Sequence, residues 1–200
     1  MVLCWLMSDR VGDPREPCHR NPSVFVSLDE LAESGVEYFH VFLPPPPHFP
    51  NLLHFSSFSV PLSNECVALS SLSLSRGYNY RDQIVISPER LANYGQCISK
   101  FFEEHLHNDD EIRYIRAGEG YFDVRSKEDR WIRILTEPCD LLVLPAGIYH
   151  RFTVTKKDFV EAVRLFRGEP IWTPFNRSDA NVEEMEVRKK YLTKITAKDE

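Results

Sequence analysis

Four side chains in the second half of this chain have the types and spacing that a metal ion needs: His105, His107, Glu111 and His150. On a strand, side chains alternate between faces, so His105 and His107 point the same way two rises apart, a separation that two ligands of one ion can share. The loop Asn108-Asp109-Asp110 then returns the chain, and Glu111 can present a carboxylate at the start of the next strand. His150 follows the turn Pro145-Ala146-Gly147, on a strand whose interior face also carries Phe152. Three imidazoles and one carboxylate would occupy four positions of an octahedral ion and leave two open, which suits catalysis better than structural support. A lone strand histidine is more often packed or exposed than ligating, so the joint spacing carries this reading.

These positions need a scaffold. From Phe101 onward apolar residues recur with a period of two, separated by turn residues, the pattern of an antiparallel sandwich or barrel. Strands are expected near 101–107, 111–116, 120–125, 131–135, 141–144, 149–154 and 162–166. Upstream, Ser27-Leu28-Asp29-Glu30 reads as a capping box, and Gly35 should end the short helix it opens. A second helix is expected from Ser87-Pro88, with Leu91, Tyr94 and Ile98 as its apolar face. The segment from Asn181 to Ile195 spaces Val182, Met185 and Leu192 at helical intervals and reads as a surface helix without chemistry.

Residues 42–63 follow neither period: eighteen of the twenty-two are Phe, Leu, Pro or Ser, with four prolines in a row at 44–47. All four residue types have pyrimidine-rich codons, so the stretch reads either as a Pro-rich insertion or as translated intron sequence. On both readings it should form neither a helix nor a central strand and should lie outside the barrel. The expected organisation is a single domain over 1–200. Within it, 1–86 is an N-terminal appendage with an atypical insert at 42–75, 87–180 the metal-binding barrel and 181–200 a C-terminal tail.

Composition narrows the partners. The net charge is -6 and no Lys/Arg-rich run stands out, so there is no footprint for nucleic acid or for an anionic membrane surface. Five scattered cysteines without a C-x-x-C pair fit neither a disulfide framework nor a structural zinc site and read as reduced thiols. Val2 to Met7 is too short for a signal segment, and no apolar run reaches the roughly 18 residues of a membrane span. A small-molecule substrate and a cytoplasmic location, with the nucleus as a second compartment, are the expectations.

His-x-His followed by Glu111, then Gly118, and later Pro145-x-Gly147-x-x-His150, resembles the two cupin motifs, with Cys139 standing where the second usually has glycine. The stretch Phe101-Phe102-Glu103-Glu104-His105-Leu106-His107-Asn108-Asp109-Asp110-Glu111-Ile112-Arg113-Tyr114-Ile115 narrows the likeness to the acireductone dioxygenases. So do Gly120 to Arg125, Leu144 to Phe152, Arg164-Leu165-Phe166 and Gly12-Asp13-Pro14-Arg15. The likeness covers residues 1 to about 40 and about 77 to 180.

This resemblance implies a mainly β fold, a cupin-type antiparallel barrel (double-stranded β-helix or jelly roll) with a few peripheral helices. It also implies one Fe(2+) or Ni(2+) per monomer on His105, His107, Glu111 and His150, and cleavage of 1,2-dihydroxy-3-keto-5-methylthiopentene by O2 in methionine salvage. The iron form would yield formate and 4-methylthio-2-oxobutanoate; the nickel form would yield formate, CO and 3-methylthiopropionate. Arg113 is expected to be catalytic by stabilising the substrate anion, although its pattern alone fits a surface ion pair equally well. Phe101, Phe152 and Trp172 are expected to wall the substrate pocket with Arg113, against ordinary core packing. Glu104 should face away from the histidines. Rival readings are another cupin oxygenase or isomerase with the same ligands, and a catalytically weakened cupin acting as an interaction module.

Overall fold

The structure is a computed structural model that describes residues 2–9, 12–41, 67–170 and 173–197. The expectations for 42–63 and for Trp172 lie outside the described residues.

The strands, all paired antiparallel, form two sheets. The first has the order β1 (Leu3–Leu6), β7 (Trp131–Thr136), β6 (Gly120–Arg125), β9 (His150–Val154), β4 (His105–Leu106), β11 (Phe175–Asn176). The second runs β2 (Glu37–His40), β8 (Asp140–Leu144), β5 (Glu111–Gly118), β10 (Val160–Phe166), β3 (Tyr80–Ile86). Apolar side chains from both inner faces meet, with Phe122, Val124, Ile132 and Ile134 of one sheet packing with Leu142 and Leu144 of the other. This is the expected cupin-type double-sheet architecture, in which inward positions alternate with outward ones.

Segments before residue 87, expected as an appendage, supply strands to both sheets: β1 pairs with β7, β2 with β8 and β3 with β10. Val2 to Met7 hid this role because β1 is covered on both sides from Cys4 onward, with only Leu3 half exposed. Cys4 and Leu6 enter the core, while Trp5 packs on His19 and donates its indole N–H to the Pro17 carbonyl at 2.8 Å. Alternation vanishes when both faces of a strand are buried.

Of the two helices expected before residue 101, one forms as anticipated and one starts later. The α1 helix (Leu28–Glu33) has the anticipated capping box, and Gly35 follows it with φ +80°. The second expected helix begins later than Ser87: residues 87–93 form turns, with Leu91 N–H donating to the Ser87 carbonyl, and α3 spans Tyr94–Phe101. Consequently Phe101 ends a helix, and the strand expected over 101–107 shrinks to β4. Leu91, Tyr94, Ile98 and Phe101 do form one apolar face, packed on Ile115, Val154 and Val160.

A further helix, α2 (Val67–Arg76), was not anticipated; its Leu69 packs with Tyr78, Ile112, Tyr114 and Leu141 behind the second sheet. The C-terminal helix α4 (Glu186–Thr196) is more than a surface element. Its Tyr191 and Ile195 join the core, and Arg188 donates to the Gly147 carbonyl. No helix among the described residues is long and apolar enough to cross a membrane.

Candidate metal centre

His105 on β4 and His150 on β9 are direct cross-strand partners. His107 leaves β4 on the same face, and Glu111 opens β5 after the Asn108-Asp109-Asp110 loop. That loop is tied to the turn before His150. Asp110 accepts the Ala146 N–H at 3.0 Å, and the His107 carbonyl accepts the Gly147 N–H at 3.0 Å. The two motifs, almost 40 residues apart in sequence, are thereby fastened to one another.

Ligand-capable nitrogens of His105, His107 and His150 lie within 4.8 Å of one another. Each ring sets Nδ1 against a backbone carbonyl: His105 on Glu103 at 2.7 Å, His107 on Thr173 at 3.2 Å and His150 on Ile148 at 3.1 Å. A carbonyl only accepts, so Nδ1 carries the proton and every Nε2 is left with a bare lone pair. Two of those lone pairs face a carboxylate, since Glu111 Oε2 lies 3.4 Å from His107 Nε2 and 3.5 Å from His150 Nε2. The His150 Nε2 is buried with no hydrogen-bond partner. Acceptors turned on one another in a buried space repel unless a cation stands among them.

Electrostatics agree. Burial, and then the neighbouring His150, push the His105 imidazole down to about 4, and burial also lowers His107, so both rings are neutral near pH 7 and able to donate a lone pair. Burial works against ionisation of Glu111, but the Arg113 guanidinium beside it, together with His150 and His107, outweighs this and holds the carboxyl well below its usual range. Arg113 Nη2 sits 3.1 Å from Glu111 Oε2, and Nη1 donates to the Ile112 carbonyl at 3.0 Å.

A cavity of about 400 Å³ opens over these groups, and Phe101, Phe152, Phe122, Ile84, Ile86 and Ile115 supply most of its apolar wall. The sequence-expected residues Phe101, Arg113 and Phe152 thus reach the same space as the four polar groups. Glu104 faces away, as expected, and accepts from Arg125 and Arg177 on the outer side. The cavity also holds Lys100 and Arg164, which sequence reading did not single out. Arg164 stands opposite Arg113 in the β10–β5 ladder. Its place at Arg164-Leu165-Phe166 was visible as a motif, but its orientation was not.

Comparison with known proteins points one way. The model of the ARD/ARD' family matches residues 3–174. Acireductone dioxygenase 4 of Arabidopsis thaliana is 48% identical over 194 residues, covering 97% of this chain and 93% of that protein. Acireductone dioxygenase of Branchiostoma floridae is 45% identical, with 96% of both chains covered. Among solved structures, acireductone dioxygenase from Bacillus anthracis with a cadmium ion in its active centre superposes with a TM-score of 0.63 at 27% identity, covering 78% of this chain and 94% of that one.

Proposed function

The chain belongs to the acireductone dioxygenase family, and we propose that it holds one Fe(2+) or Ni(2+) ion through Nε2 of His105, His107 and His150 and a carboxylate oxygen of Glu111. Its reaction is the oxygen-dependent cleavage of an acireductone in methionine salvage. The observation that supports this ligand set best is the buried convergence of bare imidazole lone pairs on a carboxylate oxygen. Each Nδ1 contact to a carbonyl also fixes its ring, the outer support that ligating histidines require. Soft thiolates are absent from the set, so the donors suit a divalent ion of intermediate hardness such as iron or nickel.

When bound, the ion supplies a Lewis acid with open positions for a chelating enediolate and for oxygen chemistry. The chain supplies the rest. Arg113, next to Glu111, provides a fixed guanidinium to balance the negative charge that the substrate gains on losing a proton. Phe101 and Phe152, whose rings meet edge to face at 6.5 Å, offer apolar surface to the methylthio chain. Ile84, Ile86 and Ile115 keep water from the reacting end. All four ligands come from one chain, so a monomer is the functional unit. The substrate and O2 are its partners, and the cytoplasm, with the nucleus, is where it works.

Metal removal tests the reading. Chelator-stripped protein titrated anaerobically with Fe(2+) should take up one equivalent per chain, and oxygen uptake with acireductone should rise in proportion. Full turnover by the metal-free protein would refute the assignment.

A further inference from the structure

The cavity over the metal centre carries more positive than negative charge. Its described lining includes the cations Lys100, Arg113 and Arg164 and the single carboxylate Glu111, in a chain whose net charge is -6. Two of the cations are already matched. Arg113 lies 3.1 Å from Glu111, and Arg164 donates through Nε and Nη2 to both oxygens of Asp82 at 2.7 Å. Lys100 has no ion-pair partner among the described residues, and its side chain is exposed. It occupies the last turn of α3, one residue before Phe101 in the cavity wall.

We propose that Lys100 is a capture residue, an ammonium at the cavity mouth that draws in an anionic, metal-chelating substrate against the negative charge of the chain. This rests on the function proposed above and adds a residue to it. An uncompensated surface charge acts through solvent over roughly 8 Å at physiological salt, so it speeds encounter and is screened by added salt. A group that gripped the substrate during turnover would be far less sensitive to salt. Lysine suits encounter, because its flexible stem carries a compact charge without the fixed two-pronged geometry of arginine. The competing explanation is local: a cation in the last turn of a helix complements the helix dipole and contributes only to stability.

The test uses the nickel-loaded full chain and oxalate, a chelating dianion that does not turn over, with association followed by stopped-flow absorbance across a range of salt concentrations. Lys100→Gln should slow association about threefold and Lys100→Glu about tenfold at low salt, within the range that steering supplies, and both differences should vanish at high salt. Imidazole, a neutral metal ligand, should bind all forms at one rate. Lys194→Gln, which removes an exposed charge on α4 outside this cavity, should behave as the parent. Rates and salt slopes unchanged in both Lys100 variants would overturn the proposal, and a change in melting temperature alone would assign Lys100 to the helix end. A parent protein that takes up no Ni(2+) would refute the metal centre first, and the capture role would fall with it.

Discussion

His105 and His150 stand directly opposite each other on β4 and β9, with ring centroids 4.5 Å apart, and each places Nδ1 on the carbonyl two residues before it in sequence. The same local device thus aims two rings from two strands at one point. Single replacement of His105, His107, Glu111 or His150 by Ala should remove metal and turnover together while the protein stays folded. The affinity loss should exceed the roughly 10- to 100-fold that follows when only an outer hydrogen bond is lost. Metal content after gel filtration, with circular dichroism as the folding control, checks this. A His107→Ala protein with full metal occupancy would remove His107 from the set.

Arg113 should separate from the ligands in behaviour. Arg113→Met keeps the stem but removes the guanidinium, so metal should remain bound near neutral pH while kcat/KM falls on the order of 10²-fold, the usual cost of removing a charge-stabilising donor. The partial relief of Glu111, which loses its partner at 3.1 Å, should appear as earlier metal release on acidification. Unchanged turnover would leave Arg113 as a structural ion pair.

Much of this centre was legible because its residues are close in sequence or flanked by turns with a clear mechanical reason. His105, His107 and Glu111 span seven positions, and the Pro145-Ala146-Gly147 turn announces His150. What stayed hidden depends on tertiary contacts: Thr173 reaches His107 from 66 residues away, and Asp82 reaches Arg164 across the β3–β10 pair. The strand misplaced over 101–107 had a visible warning. Leu91, Tyr94, Ile98 and Phe101 follow helical spacing of three and four, so the helical period extends to Phe101 and leaves little room for a strand before His105. The strands before residue 87 lacked alternation or pair with partners far along the chain, which no local pattern reports.

Acid should weaken the metal-free fold through His105. Burial and the adjacent His150 lower this imidazole from 6.5 to about 4, so between those values the unfolded chain binds a proton that the folded chain refuses. Stability therefore falls as pH drops through that window and is unaffected by this group above it. The loss reaches about 3 kcal/mol at the low end, by the conversion of pKa shift to free energy. Glu111, held low, adds a loss of the same sign once the pH passes below the ordinary carboxyl range. Urea unfolding of metal-free parent and His105→Gln across this window should show the steeper decline in the parent; parallel curves would contradict the burial argument.

Cys139 holds φ +77°, the left-handed region in which a side chain is strained, while its N–H donates to the Ile115 carbonyl and its carbonyl accepts from Val41. The departure from glycine noted in the motif therefore leaves the turn intact at an energetic cost. Cys139→Gly should relieve the strain and stabilise the protein by up to about 1 kcal/mol, whereas Cys139→Ala should bring no such gain. Denaturation midpoints of the two variants decide it, and equal midpoints would mean the turn stores no strain.

The most direct test of the whole account is product analysis from one metal-free preparation, divided and reloaded with Fe(2+) or Ni(2+), then supplied with the same acireductone and O2. The four proposed ligands are the same in both halves, so any difference in products would belong to the ion they hold. The iron half should give formate with 4-methylthio-2-oxobutanoate, and the nickel half formate, carbon monoxide and 3-methylthiopropionate. Identical products from the two halves, or no oxygen consumption by either, would contradict the account.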